Sequence, residues 1–528
     1  MTAPPSVVWS IAGTDSGGAG LSADQRAADA FGVHLCPVVA VVTAQHSRAV
    51  CHIAPMPTAL IEAQLQALAA DLPPQVVKTG LLGGVEQVRL VARWIDRLRA
   101  AGPVALVVDP VLAASTGAGF ADAAMLQAYR DELLPRATVV TPNRHEARAL
   151  LGLSSRPVAG APDDPALLPE LARRLRRLGA GAVCITGGDA ADLDGEVLDW
   201  LDSDQAAGWL ASPRLPTSHS HGTGCTFASS LAAALARGFV PADAAVLAKM
   251  ATTMALRHGH AAGAGAGPVI AQPGFATDPS LLPRLSWGEL PRFAAPRPAA
   301  GRALGLYAIV DSAERVPPVL AAGVRTLQLR IKTPARPDAA WQATLRQAVQ
   351  ASVAACTAAG AELFVNDHWV LARELGATAV HLGQEDLLAL GEEGRAALVA
   401  SGLALGISSH SLWELCRARC LAPRYIACGP VWATLTKAMP WRPQGLHNLA
   451  WWRHMAGVPV VAIGGILSAE QVTAAAACAV DGVCVVRALG DDPLRSLPAL
   501  LRALQTGAAA GAAAPTAPPA WPAPSLGP

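Results

Sequence analysis

Short apolar runs punctuate the first half of the chain at Val7 to Ile11, Pro37 to Val42, Val76 to Lys78, Val104 to Val108, Thr138 to Val140 and Ala182 to Ile185. Longer stretches with helical spacing of apolar positions lie between them. Runs this short read as strands buried on both faces, and their alternation with helices predicts a parallel sheet layered with helices. Each run is closed by Gly, Asp, Asn, Thr or Gln, which suits a carboxyl sheet edge where ligands approach.

After residue 302 the alternation becomes regular. Eight apolar runs follow, at Leu306 to Val310, Thr326 to Leu329, Glu362 to Val365, Ala379 to Leu382, Ala404 to Ile407, Tyr425 to Cys428, Pro459 to Ile463 and Gly482 to Val486. Eight strands alternating with helices predict a (β/α)8 barrel with its site at the strand C-termini. Polar or glycine residues stand there: Asp311, Arg330, Asn366, Gly383, Ser408, Gly429, Gly464 and Arg487.

At 528 residues the chain exceeds one ordinary domain. A proline-rich stretch, 276–302, reads as a linker between residues 1–275 and 303–506. Residues 507–528 are almost entirely Ala, Gly and Pro without charge, and are expected to form a disordered tail. The formal charge of +1 gives no general attraction for nucleic acid or an anionic membrane, so small molecules are the expected partners, with homo-oligomerisation left open. The basic residues are lopsided: Lys78, Lys249, Lys332 and Lys437 are the only lysines, and the other 37 are arginines. A scarce lysine marks a place where a compact ammonium is needed, or merely a surface position. Ten cysteines without regular spacing argue for a reducing compartment, and Cys416 with Cys420 reads as core packing ahead of a zinc pair. No leader pattern or apolar span is visible, so a cytoplasmic location is expected.

Two glycine-rich turns carry candidate chemistry. Gly13-Thr-Asp-Ser-Gly-Gly-Ala-Gly20 follows a strand and precedes a helix; by itself it serves a tight turn as readily as a ligand. Ser220-His-Gly-Thr-Gly-Cys225 opens an Ala-rich helix, where free N–H groups and the dipole favour a phosphoryl group. That setting is expected to lower the Cys225 pKa and let it take a proton from a substrate hydroxyl; the plainer reading is a buried small hydrophobe. No Gly-x-x-x-x-Gly-Lys-[Ser/Thr] loop occurs.

With Ala12-Gly-Thr-Asp, Gly17-Gly-Ala-Gly-Leu-Ser-Ala-Asp24, Val42-Thr-Ala-Gln45, Val77-Lys-Thr-Gly-Leu-Leu-Gly83, Val108-Asp-Pro-Val111, Thr141-Pro-Asn-Arg-His-Glu146 and His221-Gly-Thr-Gly-Cys225, the first half resembles a hydroxymethylpyrimidine/phosphomethylpyrimidine kinase of the ribokinase-like superfamily. The resemblance implies ATP as co-substrate and Mg2+. It places Asp24 and Gln45 on the aminopyrimidine, Gly222, Thr223 and Gly224 at the phosphoryl group, Cys225 at the accepting hydroxyl, and Asn143 and Glu146 at Mg-ATP. Asp109 would orient phosphate or metal, or cap a helix. Two departures stand out: the first glycine loop is one residue short, and Thr186 replaces a lysine common in relatives, so the second phosphorylation is expected to be the slower one. A kinase for another ring alcohol, such as pyridoxine, is the alternative, as is a non-catalytic ligand-binding module for either half.

The second half resembles thiamin-phosphate synthase through Gly305-Leu-Tyr-Ala-Ile-Val-Asp311, Gln328-Leu-Arg-Ile-Lys332, Val365-Asn-Asp367, His381-Leu-Gly-Gln-Glu-Asp386, Gly406-Ile-Ser-Ser-His410, Thr434-Leu-Thr-Lys437, Gln444-Gly-Leu446 and Ile463-Gly-Gly-Ile466. The implied reaction displaces diphosphate from a pyrimidine diphosphate by a thiazole phosphate. Asp367 and Asp386 follow adjacent strands and can share one divalent cation, while Arg330, Lys332 and Lys437 meet the departing charge. By the resemblance Gln328, Asn366 and Ser408 hold the pyrimidine diphosphate, and Thr434, Thr436 and Gly465 the thiazole phosphate. His381 is read as either a structural or a substrate contact. Arg487 stands where serine is expected in a phosphate loop.

Overall fold

The computed structural model describes residues 5–112, 121–153, 165–188, 195–290, 303–434, 440–514 and 521–527. The chain divides into two compact units, Met1–Pro291 and Arg292–Gly527.

In the first unit ten strands are found among the described residues: β1 (Val7–Gly13), β2 (His34–His46), β3 (Ala49–Pro55), β4 (Val76–Thr79), β5 (Ala105–Val108), β6 (Val139–Val140), β7 (Val183–Ile185), β8 (Glu196–Asp202), β9 (Ala207–Pro213) and β10 (Arg284–Leu285). They form one sheet in the order β10-β9-β8-β7-β6-β5-β4-β1-β2-β3. From β7 to β2 every neighbouring pair is parallel, as the apolar runs predict. Pro37 sits within β2 without breaking it: at that level β2 pairs only with β1, and pairing with β3 begins at Val41, so no N–H is needed on the second side.

Antiparallel strands at both ends were not expected. β3 and the trio β8, β9 and β10 extend the parallel centre. β8 alternates apolar and acidic residues, and its Trp200 packs edge-on to Trp209 of β9 at 5.0 Å, so the apolar run is too interrupted to read as a buried strand. The expected linker also begins too early. Phe275, Ala276, Leu281 and Leu285 are buried, and Ser286 exchanges backbone and side-chain bonds with Trp209. Its leucines and tryptophan stand between the prolines, so a proline-rich composition hid a packed edge.

The second unit is a closed barrel of parallel strands, β11 (Gly305–Val310), β12 (Thr326–Leu329), β13 (Glu362–Asn366), β14 (Ala379–Leu382), β15 (Ala404–Ser409), β16 (Tyr425–Cys428), β17 (Val460–Ala462) and β18 (Gly482–Val485). All eight match predicted runs. Alternate residues fill the interior: Tyr307 and Ile309, Phe364, Ala379, Tyr425 and Ala427, Val461 and Cys484. Gly406 on β15 leaves room for the Tyr425 ring, since a Cβ there would lie 2.4 Å from Tyr425 Cζ.

The alanine-rich end is not the expected tail from residue 507. A helix spans Pro493–Ala513, and Gly507 and Gly511 lie against the helix Ala469–Ala477; a Cβ at Gly507 would meet the Thr473 carbonyl oxygen at 2.3 Å. Alanine is the best helix former, and the two glycines let the helices touch, so an uncharged composition still orders. Farther on, the Asn448 side chain donates to the Ala523 carbonyl at 3.0 Å and accepts from its N–H at 2.6 Å.

Candidate active sites

The carboxyl ends of the parallel strands in the first unit open into a cleft of about 1180 Å3. The helix Thr223–Ala236 points its N-terminus there, and the first-turn N–H groups of a helix lack intrahelical acceptors. Its cap, Gly222, has φ +83°, and a Cβ would lie 3.2 Å from the Ala19 Cα of the first glycine loop. Only glycine permits both the conformation and that approach. Gly222, Thr223, Gly224 and Cys225 therefore reach the cleft wall together, as does Gln45.

Asp24 does not line this cleft. Its carboxylate is fully buried, accepting from Ser10 Oγ and Ser229 Oγ, each at 2.7 Å, and from Lys78 Nζ at 3.0 and 3.1 Å. Its place in the helix Gly20–Phe31 turns it inward, so it corrects the expected pyrimidine contact: its partner is a buried ammonium. Lys78 Nζ also stands 3.7 Å from Asp109, whose Oδ2 is buried without a hydrogen-bond partner. Burial opposes the Lys78 charge, but Asp24, Cys225 and Asp109 outweigh it and hold that pKa above its ordinary value. Burial, reinforced by Asp24 and opposed by Lys78, lifts the Asp109 carboxyl to about 6. No described helix starts at Asp109, which removes the capping role.

Cys225 differs from expectation in its chemistry. Burial pushes its thiol up to about 12, and Lys78 only partly offsets this, so the helix end does not yield a ready thiolate. Asn143 and Glu146 line the cleft, but their side chains form a reciprocal cap of the helix Arg144–Leu150: Asn143 Oδ1 accepts from the Glu146 N–H at 2.9 Å, and Glu146 Oε2 from the Asn143 N–H at 2.8 Å.

Two pairs were missed. His221 Nε2 meets Asp15 Oδ2 at 2.8 Å, joining the two glycine turns. Burial tends to raise the Asp15 pKa, but the bond and charge of His221 prevail and lower it. Lys249 lines the cleft with Thr186 and pairs with Asp199 at 2.7 Å; Asp199 Oδ1 also accepts from the Gly187 N–H at 2.8 Å. The scarcity of lysine was the available signal.

At the mouth of the barrel Asp367 follows β13 with φ 64°, a left-handed conformation costing a non-glycine residue about 1–2 kcal/mol. Burial and then Asp386 raise its pKa, with His368 and Arg330 opposing. The charges of Asp386 and Arg330 thus both act on the Asp367 carboxyl. Asp386 Oδ2 also accepts from the Gly383 N–H at 3.0 Å at the start of its helix. Asn366 and Gln328 are buried, while Lys332 is exposed. Ser408 Oγ lies 2.9 Å from His381 Nε2, and burial, then Arg330 and His410, depress the His381 pKa to about 3. The imidazole is neutral.

The loops after β16 and β17 are tied by bonds from the Val431 and Trp432 N–H groups to the Ile463 and Gly464 carbonyls. Gly465, at φ 73°, has no room for a Cβ beside the Trp432 carbonyl, which brings this turn to the loop bearing Thr434. Thr436 and Lys437 lie outside the described residues. Arg487 is exposed in the turn after β18.

Family models match both units: phosphomethylpyrimidine kinase over residues 15–270 and thiamine monophosphate synthase over 306–489. A probable thiamine biosynthetic bifunctional enzyme of Oryza sativa subsp. japonica is 34% identical over 503 residues, covering 92% of this chain and 86% of that protein. The chain belongs to the bifunctional thiamine biosynthetic enzymes. A thiamine-phosphate synthase of Serratia proteamaculans is 46% identical over 205 residues, 38% of this chain and 89% of that one. A Staphylococcus aureus pyridoxal kinase solved with ADP is 30% identical, covering 51% and 93%, with TM-score 0.45. This bifunctional enzyme carries a hydroxymethylpyrimidine(-phosphate) kinase unit followed by a thiamine-phosphate synthase barrel. Among its described residues no helix is long and apolar enough to cross a membrane.

Proposed function

We propose that the kinase cleft receives the hydroxymethyl group of the pyrimidine between Cys225 and Asp109, with the γ-phosphoryl group of ATP over Gly222 to Gly224. The observation that carries this reading is the Oδ2 of Asp109 on the cleft wall, buried with no hydrogen bond and with only the Lys78 ammonium, 3.7 Å away, to balance it. A carboxyl titrating near 6 is ionised at neutral pH and matched to accept a hydroxyl proton, whereas a thiol titrating near 12 is suited to hold and orient that hydroxyl. Lys78 then compensates Asp24 and Asp109 together. Gln45 and the Asp15–His221 pair would border the ring, and Lys249 the nucleotide phosphates. The pyrimidine, ATP and Mg2+ are the small molecules this cleft calls for. Initial rates with hydroxymethylpyrimidine and with pyridoxine test it: a preference for pyridoxine would replace the substrate.

In the barrel, Asp367 and Asp386 would hold Mg2+. The donor set fits a hard cation, because the Asp386 charge acts on the Asp367 carboxyl and a divalent cation shared by the two would relieve that repulsion. The cation would supply Lewis-acid stabilisation of the leaving diphosphate. Arg330 and Lys332 meet the same charge, Gln328, Asn366 and Ser408 hold the pyrimidine side, and Thr434 with Gly465 the thiazole phosphate. Thr436 and Lys437 belong to that phosphate loop by sequence. Ten cysteines without regular spacing accord with a reducing, cytoplasmic setting. A coupled assay with hydroxymethylpyrimidine, thiazole phosphate, ATP and Mg2+ should accumulate thiamin phosphate; no product from the supplied pyrimidine diphosphate would overturn the barrel assignment.

A further inference from the structure

Inside the barrel five polar side chains from five strands form one continuous chain of hydrogen bonds. Gln328 Nε2 donates to Tyr307 Oη at 3.1 Å, Tyr307 Oη lies 2.8 Å from Tyr425 Oη, Tyr425 Oη 2.7 Å from His381 Nδ1, and His381 Nε2 2.9 Å from Ser408 Oγ. The two tyrosines are at most 1% exposed and His381 is 5% exposed, so water cannot replace a missing link. The rings are also fixed: Tyr425 stacks against His381 at 5.7 Å and stands edge-on to Tyr307 at 5.6 Å, in the space that Gly406 leaves.

Counting protons gives the chain a direction. The inner groups are two phenols and an imidazole buried between two hydroxyls with no carboxylate on either ring nitrogen, a setting that favours its neutral form, so each carries one mobile proton, yet they take part in four links. One end group must supply the fourth. If Gln328 donates inward, Tyr307 donates to Tyr425, Tyr425 to His381 Nδ1, and the His381 Nε2–H to Ser408; the Ser408 proton is left to point outward. If Ser408 donates inward, every bond reverses, Gln328 turns its carbonyl to Tyr307, and His381 carries its proton on Nδ1. The two end groups cannot choose independently. With the Gln328 amide assigned from its hydrogen-bond partners, Nε2 toward Tyr307, the chain runs in the first sense.

We propose that Tyr307, Tyr425 and His381 are positioning residues that lock the two ends of this chain into opposite roles toward the pyrimidine, Ser408 as donor and Gln328 as carbonyl acceptor. The barrel then selects a ring that presents an amine to Gln328 and an acceptor atom, such as a ring nitrogen, to Ser408. A ring carrying an oxo group in place of the amine offers an acceptor to an acceptor. That mismatch leaves buried polar groups unpaired, which is the strongest kind of discrimination a site of this size has. His381 acts through Ser408 and needs no contact with the substrate.

The inference rests on the placement of the pyrimidine at Gln328 and Ser408, and its first test is independent of that placement. In full-length protein labelled with 15N-histidine and free of substrate, His381, identified by the signal missing from His381→Gln, is expected to be a neutral imidazole protonated on Nε2. Protonation on Nδ1, or on both nitrogens, at neutral pH overturns the proposal. The second test uses Tyr425→Phe, which removes the central link while keeping the ring. The preference in kcat/KM for the aminopyrimidine diphosphate over its oxo analogue is expected to fall about tenfold or more, mainly through KM. The kinase rate of the same preparation and a retained unfolding transition of the barrel show that the variant is folded. A folded variant with wild-type preference overturns the locking role even if the tautomer is as expected. Wild-type protein that fails to turn over the aminopyrimidine diphosphate at all would instead refute the placement of the substrate.

Discussion

At Cys225 two effects meet, a helix N-terminus that favours a thiolate and burial that disfavours any charge, and burial prevails by lifting the thiol to about 12. The position of Cys225 was legible from Gly222 to Gly224; its protonation was not, because desolvation depends on neighbours that sequence does not reveal. Asp24 shows the same limit, since spacing placed it near the glycine loop but could not say that Lys78 would claim it. Two outcomes follow at this scale. Asp109 must be ionised to accept a proton, so the kinase rate should fall as pH drops through about 6, and Asp109→Asn should remove that limb along with most of the activity. A pH–rate profile that stays flat from about 5 to 7, roughly one unit either side of the expected limb, would leave Asp109 without this role. Cys225→Ala, which removes one orienting hydrogen bond, should lower kinase turnover by about tenfold while the synthase rate of the same protein is unchanged, read in separate assays of the two reactions. Alkylation adds a check: exposed Cys51 should react with iodoacetamide well before Cys225, because only thiolate attacks.

Elements were legible where periodicity is strong and opaque where small residues act. All eight barrel strands and the parallel centre of the first sheet follow from apolar runs bounded by polar ones. The antiparallel flank β8 to β10 and the helix Pro493–Ala513 do not, because their cues are interrupted runs and alanine, which compositional reading assigns to loops and tails. Gly507 supplies the test. Its Cα faces the Thr473 carbonyl, so Gly507→Val forces the two helices apart and should cost the synthase unit about 1–3 kcal/mol. Thermal unfolding of the variant should show a lowered transition with synthase loss and an unaltered kinase rate. An unshifted transition would mean that the contact is not tight.

Over the whole molecule, two compact units each carry a complete set of candidate groups, and each should answer to its own ligands. Calorimetry is expected to resolve two transitions, the first unit stabilised by an ATP analogue and the second by thiamin phosphate, with about 2.7 kcal/mol gained at a hundredfold excess over Kd. Asp386→Asn should abolish coupling of supplied pyrimidine diphosphate to thiazole phosphate while ATP consumption with hydroxymethylpyrimidine persists. Wild-type coupling and Mg2+ dependence in that variant would return Asp367 and Asp386 to strand-end structure. The sequence also made this division legible in outline, although the packed residues 276–290 belong to the first unit and not to a connector.

The four lysines have one more consequence. Lys78 is sealed in the interior and Lys249 is held by Asp199, whereas Lys332 is exposed at the barrel mouth; Lys437 lies outside the described residues. To an acylating reagent that ignores guanidinium groups, this protein is therefore almost blank, despite 37 arginines. Apart from a free α-amine, label should gather at Lys332, on the rim where the departing diphosphate is proposed to sit. A fluorophore placed there would sense occupancy of the synthase without any engineered handle.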